Sequence, residues 1–115
     1  PFTLLELCLK EYIKDYEHSE IDPLIHPILH HDEMLKLLPP IQIVVGDQDP
    51  IYDECWRFLH KMLKLGKEVD LTIFKDMMHG CLNFDMIMGM PEAHHVVKYC
   101  ADLINKLAVK KQTQT

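Results

Sequence analysis

The sequence has no uninterrupted apolar run approaching the roughly 20 residues a membrane-crossing helix needs, which excludes an ordinary transmembrane segment. It also lacks the charged, then apolar, then small-residue order of a secretory signal, and with Pro1 in first place the natural start is expected to lie upstream. Basic residues are scarce. Twelve Lys and Arg against 18 Asp and Glu leave a formal charge of −6 and a pI near 5.7. A nucleic-acid binder needs a basic face to neutralise phosphates, so that class is excluded. The four cysteines, Cys8, Cys55, Cys81 and Cys100, lie far apart without a C-x-x-C pair, each within or beside an apolar stretch. They read as buried free thiols of a reducing compartment rather than as disulfides or metal ligands.

What is present describes a soluble globular chain. With 115 residues, 48% hydrophobic and 26% charged, it fits one domain with a modest core. Leu5, Leu9, Tyr12 and Tyr16 recur at near-helical spacing, which predicts a helix from Thr3 to about Tyr16. The prolines from Asp22-Pro23 to Pro27 predict an irregular stretch, because each restrains its predecessor to extended geometry. Asp32 is placed to cap a short helix through Leu38, stopped by Pro39-Pro40. Ile41 to Val45 is a β-branched apolar run and reads as a buried strand. The turn Gly46 to Pro50 follows, with Asp49 at an N-cap position and Pro50 at the first position of a helix to about Leu65. Ile51, Cys55, Phe58, Leu59, Met62 and Leu63 share a face of that helix, and Gly66 ends it. Glu68 to Phe74 alternates as a second strand, and Asp76 to Gly80 form a loop. A last helix from about Pro91 to Leu107 would bury Val96, Val97, Cys100, Leu103, Ile104 and Leu107 on one side.

Strand, helix, strand with short connections is a βαβ unit, which demands parallel strands. Two parallel strands cannot form a sheet covered on both faces, so the chain is expected to be the edge portion of a larger doubly wound α/β domain. In such sheets catalytic groups collect beyond the carboxyl ends of the strands. Asp49 follows the first strand by four residues and His79 the second by about five. On neighbouring parallel strands both loops emerge at one edge, where a carboxylate can fix the tautomer of an imidazole and stabilise its protonated form. Separately, Asp49 is explained as an N-cap and His79 as a loop histidine; their joint placement favours a shared site.

Other clusters point less clearly to chemistry. His26 and His30 have i, i+4 spacing and lie near His31 and Asp32, but Pro27 opposes a helix through them, so solvated loop histidines are the reading preferred to a metal site. His94 and His95 read as surface positions of the last helix. Met77, Met78, Met86, Met88 and Met90 crowd around His79 and suit either an acyl-chain pocket or core filling beneath a loop. The first helix suits a substrate-access cap or packing on the sheet.

The segment Leu38-Pro39-Pro40 with Ile41 to Val45, followed by Asp49-Pro50-Ile51-Tyr52-Asp53-Glu54, resembles the hormone-sensitive-lipase group of α/β-hydrolases. Phe58, Leu63, Gly66 and the strand Val69 to Phe74 match that group's helix, turn and next strand. Asp76-Met77-Met78-His79-Gly80 resembles its E/D-x-x-H-G motif, and Asp22-Pro23 with Pro27-Ile28 its D-P-x-x-S-P loop. The resemblance covers roughly Asp22 to Leu107. It implies that Asp49 is the acid and His79 the general base and acid of a Ser–Asp–His triad, with Asp53 supplying charge at a helix start. Two positions depart from the pattern: His26 stands where a small serine is usual, and Cys81 where phenylalanine usually follows His-Gly.

The resemblance also shows what is missing. The only serine is Ser19, in a polar loop, and there is neither a G-x-S-x-G nucleophile elbow nor an H-G-G-G oxyanion segment. The expectation is therefore the C-terminal βαβ-plus-helix portion of an α/β-hydrolase catalytic domain. Residues 1–31 would form a helix and Pro-containing loop, 32–107 the βαβα portion, and 108–115 a frayed polar tail. As part of a serine lipase or esterase it would hold Asp49 and His79, use no cofactor or metal, and be inactive alone. Its implied partners are an ester with an apolar acyl group and the N-terminal remainder of the domain, with a cytoplasmic location that leaves association with lipid surfaces open. The competing class is a non-catalytic binding or receptor member of the same fold, against which the retention of both Asp49 and His79 argues.

Overall fold

A computed structural model of the chain describes residues 4–14, 16–17, 21–83 and 89–112. In it the chain divides into two units, Pro1–Gln42 with Asp53–Asp70, and Ile43–Tyr52 with Leu71–Thr115. Both strands, β1 (Ile41–Gly46) and β2 (Val69–Phe74), contribute residues to each unit. The Ile41 N–H donates to Glu68 O at 3.0 Å and the Asp47 N–H to Phe74 O at 3.0 Å. Residue numbers rise together along both strands, so the two-stranded sheet is parallel, as the βαβ pattern requires.

In the first unit, α1 (Leu4–Tyr12) is shorter than the predicted helix, with a turn at residues 13–14. Its described side chains, Leu4, Leu7, Leu9 and Tyr12 among them, are all exposed. Cys8 is exposed with it, and Cys55, Cys81 and Cys100 are only half-buried, contrary to the expected burial of the thiols; none of the four forms a disulfide. A 3-10 turn, Pro27–Leu29, precedes α2 (Asp32–Lys36). The cap position of α2 belongs to His31, which makes no side-chain cap bond; Asp32 instead lies in the first turn, where its charge faces the positive helix end.

The helix α3 (Tyr52–Lys64) begins two residues beyond Pro50, because Pro50 and Ile51 form part of the preceding turn. Its end is a Schellman motif. Gly66, at φ 72°, donates to Leu63 O at 3.0 Å, and Lys67 N–H donates to Met62 O at 3.0 Å. The left-handed conformation is why a glycine stops the helix here. Leu35, Leu59, Met62 and Val69 form this unit's core, with Met62 fully buried, whereas Leu63 is half exposed despite its place on the predicted apolar face. Lys61 Nζ donates to Ile28 O at 2.7 Å and His30 O at 3.1 Å, holding the Pro-rich segment, and Lys67 Nζ donates to Lys36 O at 3.0 Å.

The second unit places the ends of both strands with α4 (Pro91–Gln112). Its core is Val45, Met77, Ala93 and Val96. The Phe74 and Tyr99 rings meet edge to face at 5.4 Å, and the Tyr99 hydroxyl hydrogen-bonds Thr72 Oγ1 at 2.8 Å. The helix extends past the predicted end at Leu107 because no glycine or proline interrupts residues 108–112 and its lysines and glutamine are good helix formers. Only its N-terminal half is packed. Ala93 and Val96 are buried, Val97, Cys100 and Leu103 half-buried, and Ile104 and Leu107 exposed, so the predicted burial of the last two is not found.

Candidate active site

The segments that follow β1 and β2 lie together in the second unit, joined by two backbone hydrogen bonds and one from backbone to side chain. Asp47 N–H donates to Phe74 O at 3.0 Å, Gln48 N–H to Met77 O at 3.0 Å, and Asp76 N–H to Asp47 Oδ1 at 2.7 Å. The approach is so close that a Cβ on Gly46 would lie 2.0 Å from Met77 O, inside any van der Waals contact. Gly46 is therefore the residue that lets the two loops meet. Asp76 takes a left-handed conformation, φ 58°, uncommon outside glycine but tolerated by aspartate. Gly80, at φ 75°, turns the chain again after His79, and residues 81–83 are helical.

Asp49 N–H donates to Gly46 O at 3.2 Å, closing the turn, and Asp49 Oδ1 accepts the Ile51 N–H at 2.9 Å. The N-cap expected of Asp49 thus becomes a tight turn beginning three residues ahead of α3. The same carboxylate faces the imidazole: His79 Nδ1 lies 3.1 Å from Oδ1 and 3.0 Å from Oδ2. Because a carboxylate only accepts, Nδ1 carries a proton in this contact, and in the neutral ring Nε2 then holds the lone pair. Burial divides the pair. The Asp49 side chain is 8% exposed and that of His79 46%, so the anchoring acid is enclosed while the imidazole meets solvent. The two residues singled out in the sequence are brought to hydrogen-bond distance.

The neighbouring positions differ in what they do. Burial pushes the Cys81 thiol above its ordinary pKa, helped by Cys100 and Asp49 and opposed by the N–H groups of Cys81 and Leu82, so it is held as the less nucleophilic thiol. Met77 is buried beneath the loop, Met78 exposed and Met90 half-buried; Met86, Met88 and Ser19 lie outside the described residues. Asp53 is exposed in the first turn of α3. His26 and His31 are exposed, and among the described residues no group of three His, Cys, Asp or Glu is arranged to hold a metal ion. Asp22 instead bonds locally, its Oδ2 accepting the Tyr16 hydroxyl at 2.6 Å and its Oδ1 the Leu24 N–H at 2.7 Å. A cavity of about 420 Å³ in the first unit is lined by Ile28, Arg57, His60, Lys61 and Lys64, none of them a dyad residue. Sequence reasoning overlooked Gly46 and Asp47. Their signal was a glycine ending a strand, with a carboxylate directly after it.

Comparison with known proteins bears on the family and the fold. Residues 2–83 match the family described by the alpha/beta hydrolase fold. The chain is 32% identical over 83 residues to hormone-sensitive lipase of Ictidomys tridecemlineatus, covering 72% of this chain and 11% of that protein. It is 27% identical over 101 residues to probable carboxylesterase 16 of Arabidopsis thaliana, covering 88% and 22%. It therefore spans about a tenth of the length of the lipase and about a fifth of that of the plant relative. Among solved structures, carboxyl esterase 2 of Tuber melanosporum superimposes with a TM-score of 0.70 at 23% identity, covering 86% of this chain and 33% of that one. The esterase of Pyrobaculum calidifontis does so with a TM-score of 0.69 at 25% identity, covering 83% and 29%. No helix among the described residues is long and apolar enough to cross a membrane. With the parallel strands, the loop geometry and these likenesses together, the chain belongs to the α/β-hydrolase family, in its hormone-sensitive-lipase-type group of lipases and esterases.

Proposed function

We propose that Asp49 and His79 are the acid and the base of a Ser–Asp–His triad in a carboxylic ester hydrolase, the serine being supplied from outside these 115 residues. The observation that carries this reading is the enclosed Asp49 carboxylate facing Nδ1 of a half-exposed His79. In that orientation Nε2 is free to take the proton of a serine hydroxyl as it attacks the acyl carbonyl, and Asp49 stabilises the imidazolium that forms. The imidazolium then returns the proton to the leaving alcohol, and a water activated at the same nitrogen releases the acid. The lipase and esterase relatives support an ester as the substrate class, and an apolar acyl group suits the methionines around His79. The free thiols suit a reducing compartment, so we place the reaction in the cytoplasm.

The test is hydrolysis of a short p-nitrophenyl ester. The 115-residue chain alone is expected to be inactive, and joined to the serine-bearing part of the domain it should turn over. Asp49→Asn in the joined protein should lower kcat by about 10⁴-fold, the loss seen when a triad acid no longer fixes the imidazole tautomer. His79→Ala should abolish acylation. Turnover that survives His79→Ala would remove the triad reading. An inactive joined protein that still binds the ester would favour a binding member of the same fold.

A further inference from the structure

The pairing of Asp49 with His79 depends on where the turn after β2 carries the imidazole, and the structure offers a specific device for that. His79 lies three residues beyond Asp76, the one described non-glycine residue with positive φ. A left-handed aspartate is tolerated but uncommon, so a bond that fixes its N–H helps to hold the turn in this form. Its N–H is taken by Asp47 Oδ1 at 2.7 Å, while the Asp47 backbone donates to Phe74 O at 3.0 Å. Asp47 therefore grips the turn on both sides of Lys75, by main chain before it and by side chain after it. The next bond, Gln48 N–H to Met77 O, continues the same seam, and Met77 is buried at its end. Asp47 is itself only two residues before Asp49, so one short loop carries both the triad acid and the group that holds the base-bearing turn.

The geometry points to Asp47 as a positioning residue: by accepting the Asp76 N–H, its carboxylate holds the 75–79 turn so that His79 Nδ1 faces Asp49. This inference rests on the dyad reading and adds a residue that does not touch the reacting atoms. What Asp47 contributes is a hydrogen-bond acceptor at a fixed point, so the neutral amide of asparagine should serve in its place, whereas alanine should not.

The tautomer of neutral His79, read from its imidazole ¹⁵N shifts in the full 115-residue chain, tests this. An imidazole held by Asp49 carries its proton on Nδ1, whereas a free one favours Nε2. The expected pattern is Nδ1–H in the unaltered chain and in Asp47→Asn, and a change to mainly Nε2–H in Asp47→Ala and Asp49→Asn. If Asp49→Asn changes the tautomer but a folded Asp47→Ala does not, the positioning role is overturned and the dyad stands. If Asp47→Asn behaves like Asp47→Ala, charge rather than the hydrogen bond carries the effect, which also overturns it. An Nε2–H tautomer in the unaltered chain would remove both readings. Should Asp47→Ala fail to fold, the scalar coupling across the hydrogen bond between the Asp76 amide nitrogen and the Asp47 carboxyl carbon, sought in the unaltered chain, decides the matter: its presence supports the role and its absence overturns it.

Discussion

The two units use their polar side chains differently. In the first, the best-placed cations serve the backbone: Lys61 holds the carbonyls of Ile28 and His30, and Lys67 that of Lys36. Those bonds satisfy chain that the prolines keep from pairing with itself, and they are complete as they stand. In the second unit, Asp49 and His79 meet side chain to side chain, leaving a ring nitrogen available for a reactant. Lys61, which also pairs with Asp32 at 3.4 Å, and Lys67 hold chain in place and are structural by default. A polar residue that orients a titratable ring towards solvent is where the proposed proton transfer belongs. The cores differ less: among the described residues each unit buries four apolar side chains.

The comparison breaks most sharply through Met62, which is fully buried in the first unit. Met62→Ala should cost about 2–5 kcal/mol, measured by urea denaturation followed through Trp56 fluorescence; a loss below about 1 kcal/mol would show that the site collapses around the gap. In the second unit, Gly46→Ala should cost about 1–3 kcal/mol, because its Cβ would meet main-chain rather than yielding side-chain atoms. It should also move the turn that bears His79. A wild-type denaturation midpoint and an unchanged imidazole spectrum for Gly46→Ala would contradict the close approach of the two loops.

The smallest effect is expected at Tyr16. Its hydroxyl, then the Leu24 N–H, holds the Asp22 carboxyl below its ordinary pKa, and the same contact raises Tyr16. With the folded value depressed, the contribution of Asp22 is present above the ordinary carboxylate range and is lost as pH falls through the lowered value. Tyr16→Phe should return the Asp22 titration towards the ordinary range, read from its carboxyl ¹³C shift. Because the pair is exposed, overall stability should hardly change. An unmoved titration would assign the shift to the Leu24 N–H.

Legibility in the sequence followed how local each signal was. The strand Ile41 to Val45 extends by one residue to Gly46, and β2 starts at Val69 rather than Glu68, because β-branched runs and alternation report directly on pleated geometry. Gly66 marked the end of α3 because a left-handed C′ position has few other solutions. Burial was less legible. The apolar spacing of the far half of α4 predicted burial of Ile104 and Leu107, and both are exposed, because periodicity shows which face is apolar and not what lies against it. Asp32 and Asp49 were read as caps from residue type, yet one sits inside its helix and the other in a turn before it, since backbone angles rather than composition assign the cap.

By itself the sequence determined the order of strands and helices, the parallel pairing that a βαβ pattern enforces, and Asp49 and His79 as residues with an address at the strand ends. The tertiary structure decided what joins them. Only in three dimensions do Gly46 and Met77 touch, Asp47 accept the Asp76 N–H, and the Asp49 carboxylate become enclosed while His79 stays open to solvent. The reason is range. Strand periodicity and helix termination are settled within a few residues, whereas Asp49 and His79 lie thirty positions apart, and whether they meet depends on the register of two strands and the clearance left by one absent Cβ.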